Sequence, residues 1–313
     1  MVVTKYSDED RILWDDFVGR SKNGTFLFLR SYMEYHQNRF KDSSLIVRNE
    51  KGKVVAILPA NINHQEHVLS SHDGLTYGGL IIGKDMGTAM MLEVFDCIVD
   101  YLRSLGVSSL MYKTIPHIYH QYPAEEDRYA LFLMGATLYR RDVLSVIKSG
   151  GRLPYQERRK RQIRKSVKNN LSPTESDRFD AFWIILEENL TRRYGVKPVH
   201  TVEEIIYLNN LFPDNIKLYI CSKGREMVAG VVVFESERVA HIQYISASDR
   251  GKDIGALDLL FFYLIEEVYA DKPFFDFGIS NEKNGQYLNV GLINQKEGFG
   301  ARAVVHDYYR LEI

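Results

Sequence analysis

Cysteine is nearly absent: Cys97 and Cys221 are the only two in 313 residues. Both fall in segments that read as core and neither shows metal-ligand spacing, which argues against a disulfide framework and against a zinc site. No apolar run reaches the roughly eighteen residues of a membrane span, so no spanning helix is expected. The opening MVVTKYSDEDRILWDD is charged and lacks the apolar stretch of a secretory signal. Charge of one sign is missing as well. Forty Lys and Arg stand against 41 Asp and Glu, a formal net charge of −1. A chain so balanced is not expected to bind DNA as a whole. These absences lead to the expectation of a cytoplasmic, soluble protein without a metal. What is abundant is apolar: 45% of residues are hydrophobic, and the length accommodates two domains, each with its own core.

The most informative stretch is HIQYISASDRGKDIGA, residues 241–256, followed by the apolar-periodic run 257–268. An alternating strand runs into a short loop that opens a helix. Amides at a helix N-terminus are unpaired, and the helix dipole adds partial positive charge there. Gly251 and Gly255 allow close backbone approach, and Arg250 and Lys252 add full charges. The segment Arg250, Gly251, Lys252, Gly255 and Ala256 thus reads as an anion cradle suited to a pyrophosphate. An ordinary loop with a basic rim is the competing reading. Residues 216–221 alternate, 227–234 form a near-continuous apolar run, and 239–247 alternate again, giving a three-strand meander. Strand 273–277, a helix near 285–296 and a strand near 301–311 follow.

The first half is also mixed α/β. Residues 45–48 and 54–61 suggest a hairpin around Lys51-Gly52-Lys53. Met90, Met91, Val94, Phe95, Ile98, Leu102 and Leu105 have helical spacing, ended by Gly106. Residues 109–113 read as a strand, 124–133 as a helix and 138–147 as a strand. GKDMGT at 83–88 and GKDIGA at 251–256 open helices at matching places in the two halves, which supports duplication. The first copy has Ile82 where the second has Arg250, so the second is the charged one. Gly150-Gly151-Arg152-Leu153-Pro154 reads as a linker. It leads into a basic helix, 157–168, either a solvated helix or a phosphate-binding wall for coenzyme A, a nucleotide or RNA. Thr201-Val202-Glu203-Glu204 is a capping box.

The order of meander, RGKDIGA loop, helix, strand, helix and strand resembles the core of the GNAT acyltransferases, and two such halves with FDFGISNEKNGQYLNVGLINQKEGFGAR at the end resemble the double-GNAT, Fem-type (FemAB-like) branch. There a strand ending in Asp-Phe-Gly, here Asp276-Phe277-Gly278, precedes a helix and a Lys-x-x-aromatic-Gly turn, here Lys296 to Gly300. The resemblance implies two tandem GNAT-like α/β halves built on mixed sheets, with a cleft between them. Residues 1–149 would form the acceptor side and 150–313 the acyl-CoA side, with pyrophosphate on the Arg250–Ala256 loop. Gln295 replaces the usual aromatic before the lysine, and there is no room for the long helical arm of the aminoacyl-tRNA users. Both departures lean toward the acyl-CoA branch, whose members include proteins of cell-surface polysaccharide pathways.

Acyl transfer from a thioester needs a proton acceptor, donors to the oxyanion and reprotonation of the thiolate. Ser70–Gly79 packs His72, Asp73 and Tyr77 into a polar, glycine-rich segment, read either as functional or as a surface turn. His72 is the expected base, with Asp276 its rival if burial raises that carboxyl, and Tyr77 would donate to the oxyanion or reprotonate the thiolate. His200, before the capping box, is a second candidate beside its reading as a helix-entry residue. Asp276 at an apolar strand end is expected to have a raised pKa or a partner such as Lys296. Asn281 and Glu282 follow as acceptor contacts or plain surface. Three functions fit: an acyltransferase acting from acyl-CoA on an amino or hydroxyl group of a small-molecule, sugar-nucleotide or amino-acid-like acceptor; a Fem-type peptidyltransferase using aminoacyl-tRNA; and a non-catalytic nucleotide- or sugar-binding module.

Overall fold

The computed structural model describes residues 1–313, the side chain of Tyr194 apart. The chain packs as two α/β units. The first holds Met1–Asp142, Lys283–Gln286 and Val305–Ile313, and the second holds Val143–Glu282 and Tyr287–Val304. This partition is not the simple division expected at residue 149. Gly150 and Gly151, the latter at φ +83°, make the turn that follows a long strand rather than a linker between domains, and the C-terminal strand returns to the first unit.

In the first unit the strands are β1 (Val2–Lys5), β2 (Leu45–Arg48), β3 (Val54–Leu58), β4 (Asn61–Asn63), β5 (Val68–Ser70), β6 (Ile81–Ile82) and β7 (Ser109–Lys113). One antiparallel sheet runs β1-β2-β3-β6, and its β2–β3 pair is the expected hairpin. Helices α1 (Arg11–Arg20) and α2 (Arg30–Met33) precede β2. Helix α3 (Thr88–Ser104) buries Met91, Val94, Phe95, Ile98 and Leu102 of the expected stripe, while Met90 is half-buried and Leu105, past the helix end, is exposed. Gly106 follows it at φ +69°, a conformation that favours glycine. Helix α4 (Glu126–Leu133) packs beside α3.

Strand β8 (Thr137–Lys148) carries the chain into the second unit, where α5 (Glu157–Lys168) is the basic helix. Strand β9 (Leu171–Ser176) was not legible in the sequence, because its polar residues and Pro173 break the strand pattern. Pro173 pairs with Cys221 on the edge of the sheet, where proline is tolerated. Helices α6 (Phe179–Tyr194) and α7 (Val202–Leu211) follow, and the capping box forms: Thr201 Oγ1 accepts from the Glu204 amide at 3.2 Å and Glu204 Oε2 from the Thr201 amide at 2.9 Å. The meander is β10 (Ile216–Lys223), β11 (Glu226–Glu235) and β12 (Val239–Ala247), and two helices follow it, α8 (Asp249–Asp253) and α9 (Ala256–Tyr263). After β13 (Phe274–Ile279) come the short pair β14 (Asn281–Glu282) and β15 (Tyr287–Leu288), then α10 (Val290–Glu297) and β16 (Arg302–Glu312). The sheet order in this unit is β8-β13-β12-β11-β10-β9.

The near-continuous apolar run of β11 is explained by cover on both faces. Val231 and Val233 pack with Phe261 and Leu264 of the α9 segment. On the other face α6 lies so close that a Cβ at Gly230 would stand 2.3 Å from the ring of Phe182, itself fully buried. Gly230→Ala is therefore expected to destabilise the protein by about 1–3 kcal/mol through overpacking. Gly19→Ala is the control: this exposed α1 position has nothing within 4 Å, and the change is expected to stabilise by roughly 0.5–1 kcal/mol. Urea unfolding of both variants checks the pair of signs.

Candidate active site

Strands β12 and β13 are parallel neighbours for three residues only, Val239–His241 against Phe274–Asp276. Beyond His241 and Asp276 they part. Both strands are irregular there. Gln243 is the extra residue of a bulge between β12 and β11, and the β13–β8 register shifts between Asp276 and Ile279, with Gly278 at φ +71°. Bulges bend strands and break pairing. The far end of β12 is left with an unpaired backbone edge, and Ile245, Ser246 and Ala247 line a cavity of about 760 Å³ together with Phe277 of β13.

At the parting point His241 Nδ1 lies 2.8 Å from Asp276 Oδ2. Alternation along β13 puts Asp276 on the sheet face opposite Phe275 and Phe277, and parallel pairing puts His241 on the same face as Asp276. Asp276 is fully buried. Burial by itself pushes its carboxyl up, but His241, the Gly278 amide at 2.8 Å and the charge of Lys296 outweigh it and hold it below the usual carboxylate range. The expected raised pKa is thus reversed, and the expected partner is chiefly His241. A carboxylate on Nδ1 fixes the imidazole with its proton there and leaves Nε2 as the acceptor. Among the described residues no protein group holds Nε2. Close by, the buried Gln243 Oε1 has no hydrogen-bond partner. His241 escaped sequence reading because it sits in a regular strand pattern; only the parallel register brings it against Asp276.

Lys296, on α10, lines the cavity and is 4% exposed. Its ammonium does not bond Asp276 directly: Nζ donates to the carbonyls of Gly278 at 3.0 Å and Ile279 at 2.5 Å, holding the β13 irregularity in place.

The expected anion cradle forms only in part. Arg250, Gly251 and Lys252 lie inside α8 rather than in an open loop. Gly251 is required by packing, since a Cβ there would stand 2.1 Å from the Val228 carbonyl oxygen. Gly255 is the left-handed N-cap of α9, φ +77°, and its carbonyl accepts from Ser166 Oγ of α5 at 2.7 Å. Arg250 is turned onto Glu226 on the surface, and Ala256 is fully buried. Gly251, Lys252 and Gly255 do line the cavity, as do Arg159 and Gln162 of the basic helix. The Asp258 and Leu259 amides bond the Gly255 carbonyl, so the orphan amides at the start of α9 are those of Ala256 and Leu257. One cavity wall thus combines a helix N-terminus with cations, the arrangement that favours phosphate.

The remaining expected groups are packed into interiors. In the first unit His72 is 2% exposed, at φ +62°, with its ring stacked on His36 at 5.3 Å. Burial pushes its imidazole down to about 3, so it is not the expected base near neutrality. Tyr77, also in the first unit and 3% exposed, bonds Thr25 Oγ1 at 2.9 Å and packs on Tyr119. In the second unit His200 Nδ1 lies 2.5 Å from the Tyr244 hydroxyl, and its carbonyl accepts from Trp183 Nε1. His200 stands at the entry to α7, directly before the Thr201 cap. Only Asp276 and Lys296 of the expected catalytic set are brought together.

Burial pushes the Lys296 ammonium down to about 8, with Asp276 opposing. The folded state therefore gives up this proton before the unfolded chain does, and stability rises with pH between the two values. From pH 8 to 10 the wild type is expected to gain about 2 kcal/mol relative to Lys296→Met. Chemical denaturation of both proteins across that range reads the difference directly; parallel curves would contradict it.

Residues 156–287 match the family model described as acetyltransferase (GNAT) domain. No curated protein matches the sequence. Among solved structures the fold is similar to that of FemX, at 11% identity and TM-score 0.65 over 98% of this chain and 97% of that one. It is also similar to the C-terminal domain of a putative lysylphosphatidylglycerol synthetase from Agrobacterium fabrum, at 11% identity and TM-score 0.62 over 97% and 91% of the two chains. A tandem GNAT protein from the clavulanic acid biosynthesis pathway matches at 11% identity and TM-score 0.50 over 99% and 98%. At such identities the likeness is one of fold. The match to the GNAT acetyltransferase domain thus covers residues 156–287, and the chain as a whole is similar in fold to FemX and to a tandem GNAT protein.

Proposed function

We propose that this protein is an acyltransferase that moves an acyl group from acyl-CoA to an amino or hydroxyl group of a small-molecule or sugar-nucleotide acceptor. The observation that carries the reading is the His241–Asp276 pair at the point where β12 and β13 part beside the cavity. The Ala256 and Leu257 amides, Lys252 and Arg159 would hold the donor phosphates, and the apolar wall, Phe261, Phe277 and Leu257 among it, would take the thioester arm. His241 Nε2 would accept the proton of the acceptor N–H or O–H. The freed lone pair attacks the thioester carbonyl, the C–S bond breaks, and coenzyme A leaves as the thiol after taking up a proton. Asp276, held as a carboxylate, orients His241 and stabilises its charged form, a positioning role. The orphan Gln243 Oε1 suits an acceptor that brings a hydrogen-bond donor. The unpaired edge of β12 offers backbone N–H groups to the developing oxyanion. In this reading the second unit is the donor side and the first the acceptor side. Cell-surface polysaccharide synthesis is a setting that suits such acceptors.

One observation favours a second reading, an aminoacyl-tRNA donor as in Fem-type peptidyltransferases. Arg161, Arg164, Lys165 and Lys168 of α5 are exposed, and among the described residues none of them forms an ion pair. Spaced three and four apart, they share one helix side. A polyanion bound there would show steep salt dependence.

A thermal-shift series with coenzyme A and acetyl-coenzyme A separates the two. Saturating thioester is expected to raise the melting temperature by several degrees, since a ligand at about a hundredfold its Kd adds about 2.7 kcal/mol. No shift, together with tight and salt-sensitive tRNA binding, would transfer the assignment to the second reading. With a turnover assay in hand, His241→Gln is expected to lose roughly a hundredfold or more in kcat while coenzyme A affinity stays within about threefold. Asp276→Asn is expected to lose less, because it spoils the orientation of the base without removing it. Near-wild-type turnover in both variants would remove the pair from the mechanism.

A further inference from the structure

Two cations that line the cavity, Arg192 of α6 and Lys252 of α8, are engaged by a carboxylate outside its wall. Arg192 donates from Nη1 and Nη2 to the two oxygens of Asp249, at 2.7 Å each. Lys252 Nζ donates to the same carboxylate at 3.0 Å. The cluster is held from behind by Asn189. Its Oδ1 accepts from Lys252 at 2.6 Å and Arg192 at 3.2 Å. Its Nδ2 is anchored on Ser246 Oγ at 2.9 Å and the Ala247 carbonyl at 2.8 Å, at the unpaired end of β12. The two cations therefore keep their places through Asn189, whichever anion they meet.

Asp249 presents two oxygens to a forked guanidinium, which is how a phosphate group would meet it. Its side chain is 67% exposed, and ion pairs in that setting are individually weak. A ligand with more oxygens and more charge displaces such a carboxylate easily. We infer that Arg192 and Lys252 form a phosphate subsite at the rim of the cavity and that Asp249 is its built-in competitor, holding the subsite closed until a phosphate-bearing donor enters. The inference rests on the acyl-CoA reading for the identity of the donor but not for the existence of the subsite.

The test is calorimetric titration of the full chain and of Asp249→Asn with two probes, coenzyme A and inorganic pyrophosphate, at low and high salt. Asp249→Asn is expected to bind both probes roughly threefold to tenfold more tightly at low salt, with the gap closing as salt screens the charges. Adding Arg192→Gln to the Asp249→Asn variant is expected to return the affinity to wild type or below. Equal or weaker binding of coenzyme A and pyrophosphate by Asp249→Asn overturns the inference and makes Asp249 a support for Arg192. Coenzyme A binding that is the same in both proteins leaves the donor reading standing and the inference fallen. Pyrophosphate binding that tightens in the variant, with no coenzyme A binding in either protein, does the reverse. No binding of either probe by either protein removes both.

Discussion

A fully buried carboxylate dictates the centre of the second unit. Asp276 is desolvated in a strand flanked by Phe275 and Phe277, and a bare charge there is untenable. It is satisfied by His241 across the strand pair and by the amide of Gly278 two residues on. That amide is available because the chain turns through a left-handed glycine instead of continuing the ladder. The turned carbonyls of Gly278 and Ile279 then need a donor of their own, and the buried Lys296 supplies it. Solvating one charge thus coincides with the end of the pairing of β12 with β13, next to Phe277 and Lys296 of the cavity wall.

The glycines beside that cavity illustrate how a binding motif and a packing motif share residues. Gly251 lets α8 rest on the Val228 carbonyl, and Gly255 starts α9 in a left-handed conformation beside Ser166 and Gln162. Both would be needed with no ligand at all. Their consequence is that α9 begins at the cavity wall with two amides unspent, flanked by Arg159 of the basic helix. Arg159 is itself paired with Asp258 at 2.6 Å. Phosphate affinity at such a wall depends on how firmly the internal carboxylates hold the cations, because Arg192 and Lys252 also share an acidic partner, Asp249.

Much of the fold was readable from apolar spacing. The α3 stripe, the basic helix 157–168, the meander and the capping box at Thr201 all depend on neighbours within a few residues, and local order encodes them. The candidate site was readable only where its members lie close in sequence. Asp276 and Lys296 stood out because a carboxylate and a lysine punctuate apolar runs. His72 and Tyr77 stood out for the same kind of reason, a polar cluster among glycines. Yet their side chains turn inward, to His36 and Thr25, partners 36 and 52 residues away.

The sequence by itself determined the α/β class, the strand–helix junction at 247–256 and the cations around it, since these follow from periodicity, caps and composition. Tertiary structure alone decided that His241 rather than His72 meets a carboxylate, that Gly251 serves packing, and that Arg250 leaves the cavity for Glu226. Each of those outcomes turns on strand register or on side-chain direction. A single-residue slip reverses the face of every strand residue, and nothing in local sequence records which distant strand will lie alongside.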